Sequence, residues 1–428
     1  MHCLLFLSFA SAAQPVNRSV SIRYPISSPH YPVLLTGSQL PSLRGVPIGA
    51  ISVARVSNGE LEPIPFQIDR KDRKGNFQIP TSAKERDREL RSAMDENDEL
   101  VFMASDLGDR LEHGQVALSL DSISEIELVD PNGSSRAWVY VLIRPGRRES
   151  PYVRDYVRYN RADDTVEAST YRMGFSSELP FLANVLQSRK TNEDEFGPNI
   201  IDSMKLSHDG KFLHRFPFRR TDQDYTSRLV AVKDGPVRVI RRTANRVRII
   251  LGIGSPTVFV DYLLYPAGFI MDTIVNFPFK IGFFFSDLST TALLSLKENE
   301  ALSRFLVYSI SAQQGVPVDG KMSEQDHRFN TLYDSSLLLT GKFGQLIADI
   351  ALERGSPIEV QVHLADDAAK QRLAEDPERY HRGLGFYMTK WEELNTQTHH
   401  ILFRAYVLDQ FSPAEGLVFL RNAPSLLP

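Results

Sequence analysis

The sequence predicts an all-β protein made of β-sandwich domains with a few short helices. Three observations predict it. Short β-branched and aromatic runs bounded by Gly, Pro, Asn and Asp recur along the whole chain, and helical periodicity is scarce. No internal repeat of fixed period occurs, which argues against a propeller or a solenoid. At 428 residues, with 42% hydrophobic and 24% charged residues, the chain is long enough for two or three domains with conventional cores, and too apolar to be disordered.

The N-terminus reads as a cleavable export signal over residues 1–13. Residues 4–10 form a short apolar run and Ala10-Ser11-Ala12-Ala13 supplies small residues before Gln14-Pro15, although Met1-His2-Cys3 lacks the usual basic residue. A periplasmic or extracellular location is therefore expected. Cys3 is the only cysteine and would leave with the signal, so the mature chain is expected to have neither a disulfide nor a thiol nucleophile. No transmembrane segment is expected after signal removal. The apolar stretch 263–296 is interrupted by Pro266, Asp272, Pro278, Lys280 and Asp287, and reads as buried strands.

Further along, residues 82–94 are strongly charged and read as a surface helix or ordered loop. The run Met94-Asp95-Glu96-Asn97-Asp98-Glu99 follows. Asp95, Asn97 and Glu99 stand at alternate positions, as in an acidic calcium loop, and Asp106 lies where a closing carboxylate falls; Leu100 takes the place of the glycine such loops need. The competing reading is an acidic turn before a buried strand. Apart from calcium at this loop, no cofactor is expected. The clearest hairpin joins 123–129 to 138–143 through Asp130-Pro131-Asn132-Gly133, where Asn-Gly suits the positive φ angles of a tight turn. The charged, proline-rich 145–151 segment then marks a boundary between an N-terminal β domain, 14–147, and a C-terminal β-sandwich domain, 152–428. A last helix is expected over 365–374, opened by Asp366 and Asp367 and stopped before Pro377.

Net charge is −4, which gives no global attraction to nucleic acid or anionic lipid, so any such binding needs a local patch. Charge is unevenly placed. Acids dominate 85–130 and bases dominate 211–248, opposed there only by Asp222, Asp224 and Asp234. The two blocks face each other, or one faces a ligand. In the basic block, residues 236–251 read as a strand that sets Arg238, Arg242, Arg246 and Arg248 on one face with Ile240 and Ala244. Guanidinium forks recognise carboxylate, sulfate or phosphate, so the row suits an acidic polysaccharide; the alternative is a solvated face whose arginines pair with acids on the neighbouring strand.

His208, His214 and Tyr225 flank the start of the basic block. A His or Tyr beside arginines is the equipment for proton abstraction next to a neutralised uronate carboxylate, and ordinary sheet residues are the competing reading. His399-His400 are adjacent and point to opposite faces of a strand, and no His-x-His or His-Glu-x-x-His occurs. Gly252-Ile253-Gly254-Ser255-Pro256 is a turn without the third glycine of a dinucleotide loop, and neither a Gly-x-Ser-x-Gly elbow nor a Walker lysine is present. The aromatics Trp138, Tyr140, Phe386, Tyr387 and Trp391 suit either sugar stacking or a core.

At Pro63-Ile64-Pro65-Phe66-Gln67-Ile68-Asp69, Asp98-Glu99-Leu100-Val101-Phe102-Met103 and Gly235-Pro236-Val237-Arg238-Val239-Ile240, the chain resembles exported bacterial proteins with a PFQID…DELVF…GPVR layout, some of them among polysaccharide-degradation genes. The resemblance implies a β-sandwich, the C-terminal one a large mutarotase-like or lyase-like sandwich, with a loose link to polysaccharide metabolism. It transfers no catalytic residue. Where such proteins show a glycine-containing acidic repeat before DELVF, this chain has Met94-Asp95-Glu96-Asn97. The expected function is a non-catalytic exported protein that binds an acidic glycan or another envelope component through the arginine face. The alternative is a polysaccharide lyase, or another carbohydrate-active enzyme on acidic polysaccharide, using that face with His208, His214 or Tyr225 as base.

Overall fold

The computed structural model describes residues 18–111, 122–143, 154–190, 193–250, 253–297, 305–367, 382–409 and 411–424. The signal reading at 1–13, the boundary at 145–151 and most of the helix expected at 365–374 lie outside them. The chain is all-β, about 52% strand, with three α-helices among the described residues. No helix among them is long and apolar enough to cross a membrane.

The N-terminal part packs two sheets. One has five strands in the order Arg18–Arg23, Ser122–Val129, Arg136–Ile143, Ile51–Ser57, Glu60–Pro63, and the other three, Pro32–Thr36, Glu99–Met103 and Gln67–Asp69. Val33, Leu35, Val53, Leu100, Phe102, Leu128 and Val139, fully buried or nearly so, fill the space between them. The expected hairpin is present, Ser122–Val129 pairing antiparallel with Arg136–Ile143. Only Gly133 (φ 74°) takes a positive φ in its loop, because Asp130 and Ser135 hold a wider turn than a two-residue Asn-Gly link. The charged 82–94 segment contains the helix Ala83–Arg91, where the Ser82 hydroxyl accepts from Glu85 N–H, a cap that satisfies one of the open amides.

In the C-terminal part a ten-stranded antiparallel sheet runs Tyr225–Asp234, Val239–Ile250, Val258–Leu264, Gly268–Asn276, Thr398–Leu408, Gly344–Leu352, Ser336–Gly341, Phe305–Ser309, Val316–Val318, with Ile253–Gly254 paired to Val239–Ile250 off this path. A five-stranded sheet, Phe216–Thr221, Ile201–Phe212, Phe285–Leu296, Gly383–Thr389, Glu359–Ala365, faces it, and a four-stranded sheet spans 157–188. The interrupted apolar stretch 263–296 forms strands, as its pattern predicts, and supplies them to both faces of one sandwich. Alternate residues of each strand point inward and form one large core, with Val260, Tyr262, Leu294, Leu346, Phe386 and Phe403 among its members.

Candidate functional site

The three short motifs meet at one place. Gln67 Oε1 accepts from the backbone N–H of Val237 (3.3 Å) and Arg238 (2.9 Å), while Gln67 Nε2 donates to Asp69 Oδ2 at 2.7 Å. Arg238 then bridges the two parts of the chain. Its Nε donates to Asp69 at 2.8 Å, one Nη to Glu99 at 2.8 Å and the other to the Tyr265 hydroxyl at 2.7 Å. Lys233 Nζ joins Asp69 and Glu89, each at 2.8 Å, and Lys71 pairs with Glu99. Gly235 lets the Gln67 amide come close: a Cβ there would stand 2.4 Å from Gln67 Oε1 and would push that amide off its partners. The acidic and basic blocks therefore face each other, and the motif layout encodes a lock between sheets.

Electrostatics agree with that role. Burial would raise the Asp69 carboxyl, but Lys233 and Arg238 outweigh it and hold the group at about 2. Glu99 is likewise lowered, its burial overcome by Arg238 and Lys71. Both are ionised at neutral pH.

This corrects the expectation of an arginine row facing a ligand. The four arginines do share a face, but Arg238 is 0% exposed and no ligand reaches it. Arg242 forms a two-pronged pair with Asp261 (2.7 and 2.6 Å) and donates to the Phe77 carbonyl. Arg246 donates to the Ser255 carbonyl at 3.3 Å, and Arg248 to Asp224 at 2.6 Å. Only the last two are exposed. Arg242 thus pairs with an acid on the neighbouring strand, as the alternative reading has it, while the partners of Arg238 arrive from the N-terminal part, which no local pattern reveals. Arg241 was missed: it is fully buried, 3.8 Å over the Phe175 ring, and pairs with Asp164.

The residues read as a calcium loop have partners within the protein. Glu99 is held by Arg238 and Lys71, and Asp106 accepts from the Tyr156 hydroxyl at 2.5 Å. Asp95 instead accepts from Asn97 N–H (2.9 Å) in a local turn and pairs with Arg70. Among the described residues no group of three or more His, Cys, Asp or Glu is placed to hold a metal ion. His399 and His400 diverge as expected, toward Asn395 and Asp272 respectively.

The candidate site lies elsewhere, between the two facing C-terminal sheets. There the inward side chains do not close the core, and a cavity of about 230 Å³ remains. Its walls are apolar: Phe218, Phe285, Leu294, Met271, Phe386 and Phe403 are representative. Packed interiors seldom leave voids much larger than one water, and an engineered apolar cavity of ~150 Å³ already binds benzene.

A few polar groups face this space. His208, on Ile201–Phe212, hydrogen-bonds Tyr225 through Nε2 (2.5 Å) and Thr290 through Nδ1 (2.7 Å), and all three line the cavity. Trp391 lines it too, and its buried Nε1 donor has no hydrogen-bond partner among the described residues. Burial pushes the His208 imidazole down to about 4 and the Tyr225 hydroxyl up, so both are neutral at pH 7.

The site thus brings His208 and Tyr225 together but leaves out His214, which sits exposed at a turn with φ 59°. Arg220 stands opposite His208 in register, yet its guanidinium donates to the carbonyls of Arg248 and Ile249. Among the described residues neither His208 nor Tyr225 bonds an arginine. Lys205 also lines the cavity, but its ammonium is paired with Asp222 at 3.2 Å, so a uronate carboxylate among these phenylalanines and leucines would lose its hydration and compete for a cation already engaged, which is costly.

The depressed His208 value fixes a pH dependence. Between about 4 and the ordinary 6.5 the unfolded chain binds the proton and the native chain does not, so stability falls as pH drops through that window. Discounted for the ring's partial exposure, the His208 contribution is about 2 kcal/mol. Urea unfolding of wild type and His208→Gln at pH 7 and pH 4.5 should show that much less loss in the variant; equal losses would remove His208 as the cause.

The sequence matches no protein-family model and no curated protein. Among solved structures an alpha-mannosidase from Enterococcus faecalis V583 is similar to it, at 9% identity and a TM-score of 0.35, over 87% of this chain and 40% of that one. This chain spans less than half the length of that structure.

Proposed function

We propose that the protein is an exported, non-catalytic binding protein whose ligand is an apolar molecule with one hydrogen-bonding group, held between the two C-terminal sheets. The observation that carries this reading is the apolar cavity of about 230 Å³, with His208, Tyr225, Thr290 and the unpartnered Trp391 Nε1 among its polar points. Two neutral groups and a free donor suit an alcohol, ester or carbonyl oxygen. They do not suit a carboxylate, which needs a cation of its own, and the lining Lys205 is already paired with Asp222. The export signal read at residues 1–13 supports a place outside the cytoplasm. Acidic-glycan binding has less behind it, since only Arg246 and Arg248 of the row are exposed.

The chain has two tryptophans, Trp138 and Trp391, so in a Trp138→Phe background the emission reports the cavity alone. Titration with N-phenyl-1-naphthylamine should give saturable one-to-one binding that quenches Trp391 by energy transfer and is displaced by octanol. No saturable uptake, or uptake that octanol leaves unchanged, would overturn the proposal.

A further inference from the structure

One end of the cavity-bearing sandwich carries large apolar side chains in water. Leu213 is 50% exposed, Phe216 54%, Phe283 69% and Phe284 39%. They come from two separate segments that the fold joins. Phe212 and Phe285 are register partners across neighbouring strands, and Leu213 N–H donates to the Phe284 carbonyl at 2.6 Å. Exposed apolar residues scattered singly need no explanation, but a contiguous cluster does.

The backbone is held in an unfavourable form to make it. Leu213 and His214 have φ of 49° and 59°, and Arg215 N–H closes on the Phe212 carbonyl at 3.2 Å. Two left-handed residues in succession are what Asn-Gly ordinarily supplies in a hairpin. Here a leucine takes that strain at the tip, with its side chain in solvent. Strain of this kind persists at sites with a use for it.

Charge at this end departs from the rest of the chain. Over residues 209–220 and 277–287 there are five bases, Lys211, Arg215, Arg219, Arg220 and Lys280, against two acids, Asp209 and Asp287, while the whole chain carries −4. The Arg215 guanidinium lies 5.8 Å from the centre of the exposed Phe216 ring. Exposed aromatics within a basic fringe complement an anionic phospholipid surface: the rings enter the headgroup boundary and the cations meet the phosphates.

The patch is also continuous with the cavity. The exposed Phe284 ring packs edge-on against Phe279 at 5.2 Å, Phe279 against Phe277 at 6.1 Å, and Phe277 and Phe279 line the cavity wall.

We propose that this end of the sandwich, Leu213, Phe216, Phe283 and Phe284 with Arg215 and Lys280 beside them, docks on an anionic phospholipid surface from which the cavity takes its ligand. The choice of ligand rests on the binding reading above; the docking surface does not. In sedimentation with phosphatidylcholine vesicles containing ~30% phosphatidylglycerol, the full chain should co-sediment, and binding should fall with salt and with removal of phosphatidylglycerol. Phe216→Ser/Phe283→Ser and Arg215→Glu/Lys280→Glu should each lower the partition coefficient ~10-fold or more, since each places two changes at the contact. None of these four side chains lines the cavity, so naphthylamine uptake should be unchanged in both variants. Wild type that stays in the supernatant, or variants that sediment like wild type, would overturn the docking proposal. Concentration-dependent dimerisation abolished by Phe216→Ser/Phe283→Ser, without vesicle binding, would assign the patch to a second copy and overturn it too. Loss of naphthylamine uptake alongside intact vesicle binding would instead count against the cavity reading alone.

Discussion

Replacing Arg238 by methionine is expected to lower the unfolding free energy by about 3–5 kcal/mol, the range for breaking a buried ion pair from one side. The volume change is small, so packing contributes little. The loss comes from what remains: Asp69 and Glu99, buried at 1% and 7% exposure, would keep their charges with only Lys233 and Lys71 to answer them, and the Tyr265 hydroxyl would lose its donor. Adding Asp69→Asn and Glu99→Gln should recover part of the loss, because a neutral network no longer leaves a carboxylate stranded. Denaturant titration followed by circular dichroism measures both. A loss below about 1 kcal/mol for Arg238→Met would mean that the lock contributes little to stability. The single-variant penalty should shrink as pH falls into the carboxylate range, since without Arg238 burial raises the Asp69 and Glu99 carboxyls and they take up protons that the native protein does not bind.

That network shows how far the sequence could be read. Strand runs and their turns are local, so the hairpin at 122–143, the charged helix near 83–91 and the broken apolar stretch 263–296 are visible without a structure. The alternation that put Arg238, Arg242, Arg246 and Arg248 on one face is local too. What covers that face is not. Asp69, Glu99 and the Phe77 carbonyl arrive from more than 130 residues away, and of the three only Glu99 belongs to the opposed charge blocks at 85–130 and 211–248. The same limit applies to the site. His208 and Tyr225 stood out for their types, but the space they face is set by how far apart two sheets are held. Thr290 and Trp391 carry no motif at all.

The cavity also provides the sharpest contrast between a packing fault and a binding site. Left unfilled by side chains, a void of about 230 Å³ forgoes roughly 5.5 kcal/mol at ~24 cal/mol per Å³, a large fraction of what holds a domain together. Ala292, on Phe285–Leu296, lines it and is only partly buried although it sits in mid-strand opposite Phe386. Ala292→Leu places three more carbons into that space. Their burial should raise the unfolding free energy by about 1–2 kcal/mol, at ~0.8 kcal/mol per methylene less some lost rotamer freedom. The same carbons should weaken naphthylamine binding ~100-fold, equivalent to about 2.7 kcal/mol, because they occupy volume the ring needs. Gain in stability with loss of binding is the signature of a site kept open at a cost to the fold. Gain in both, or stability gained with affinity untouched, would show that the probe binds elsewhere and that the gap between the sheets is a defect in packing.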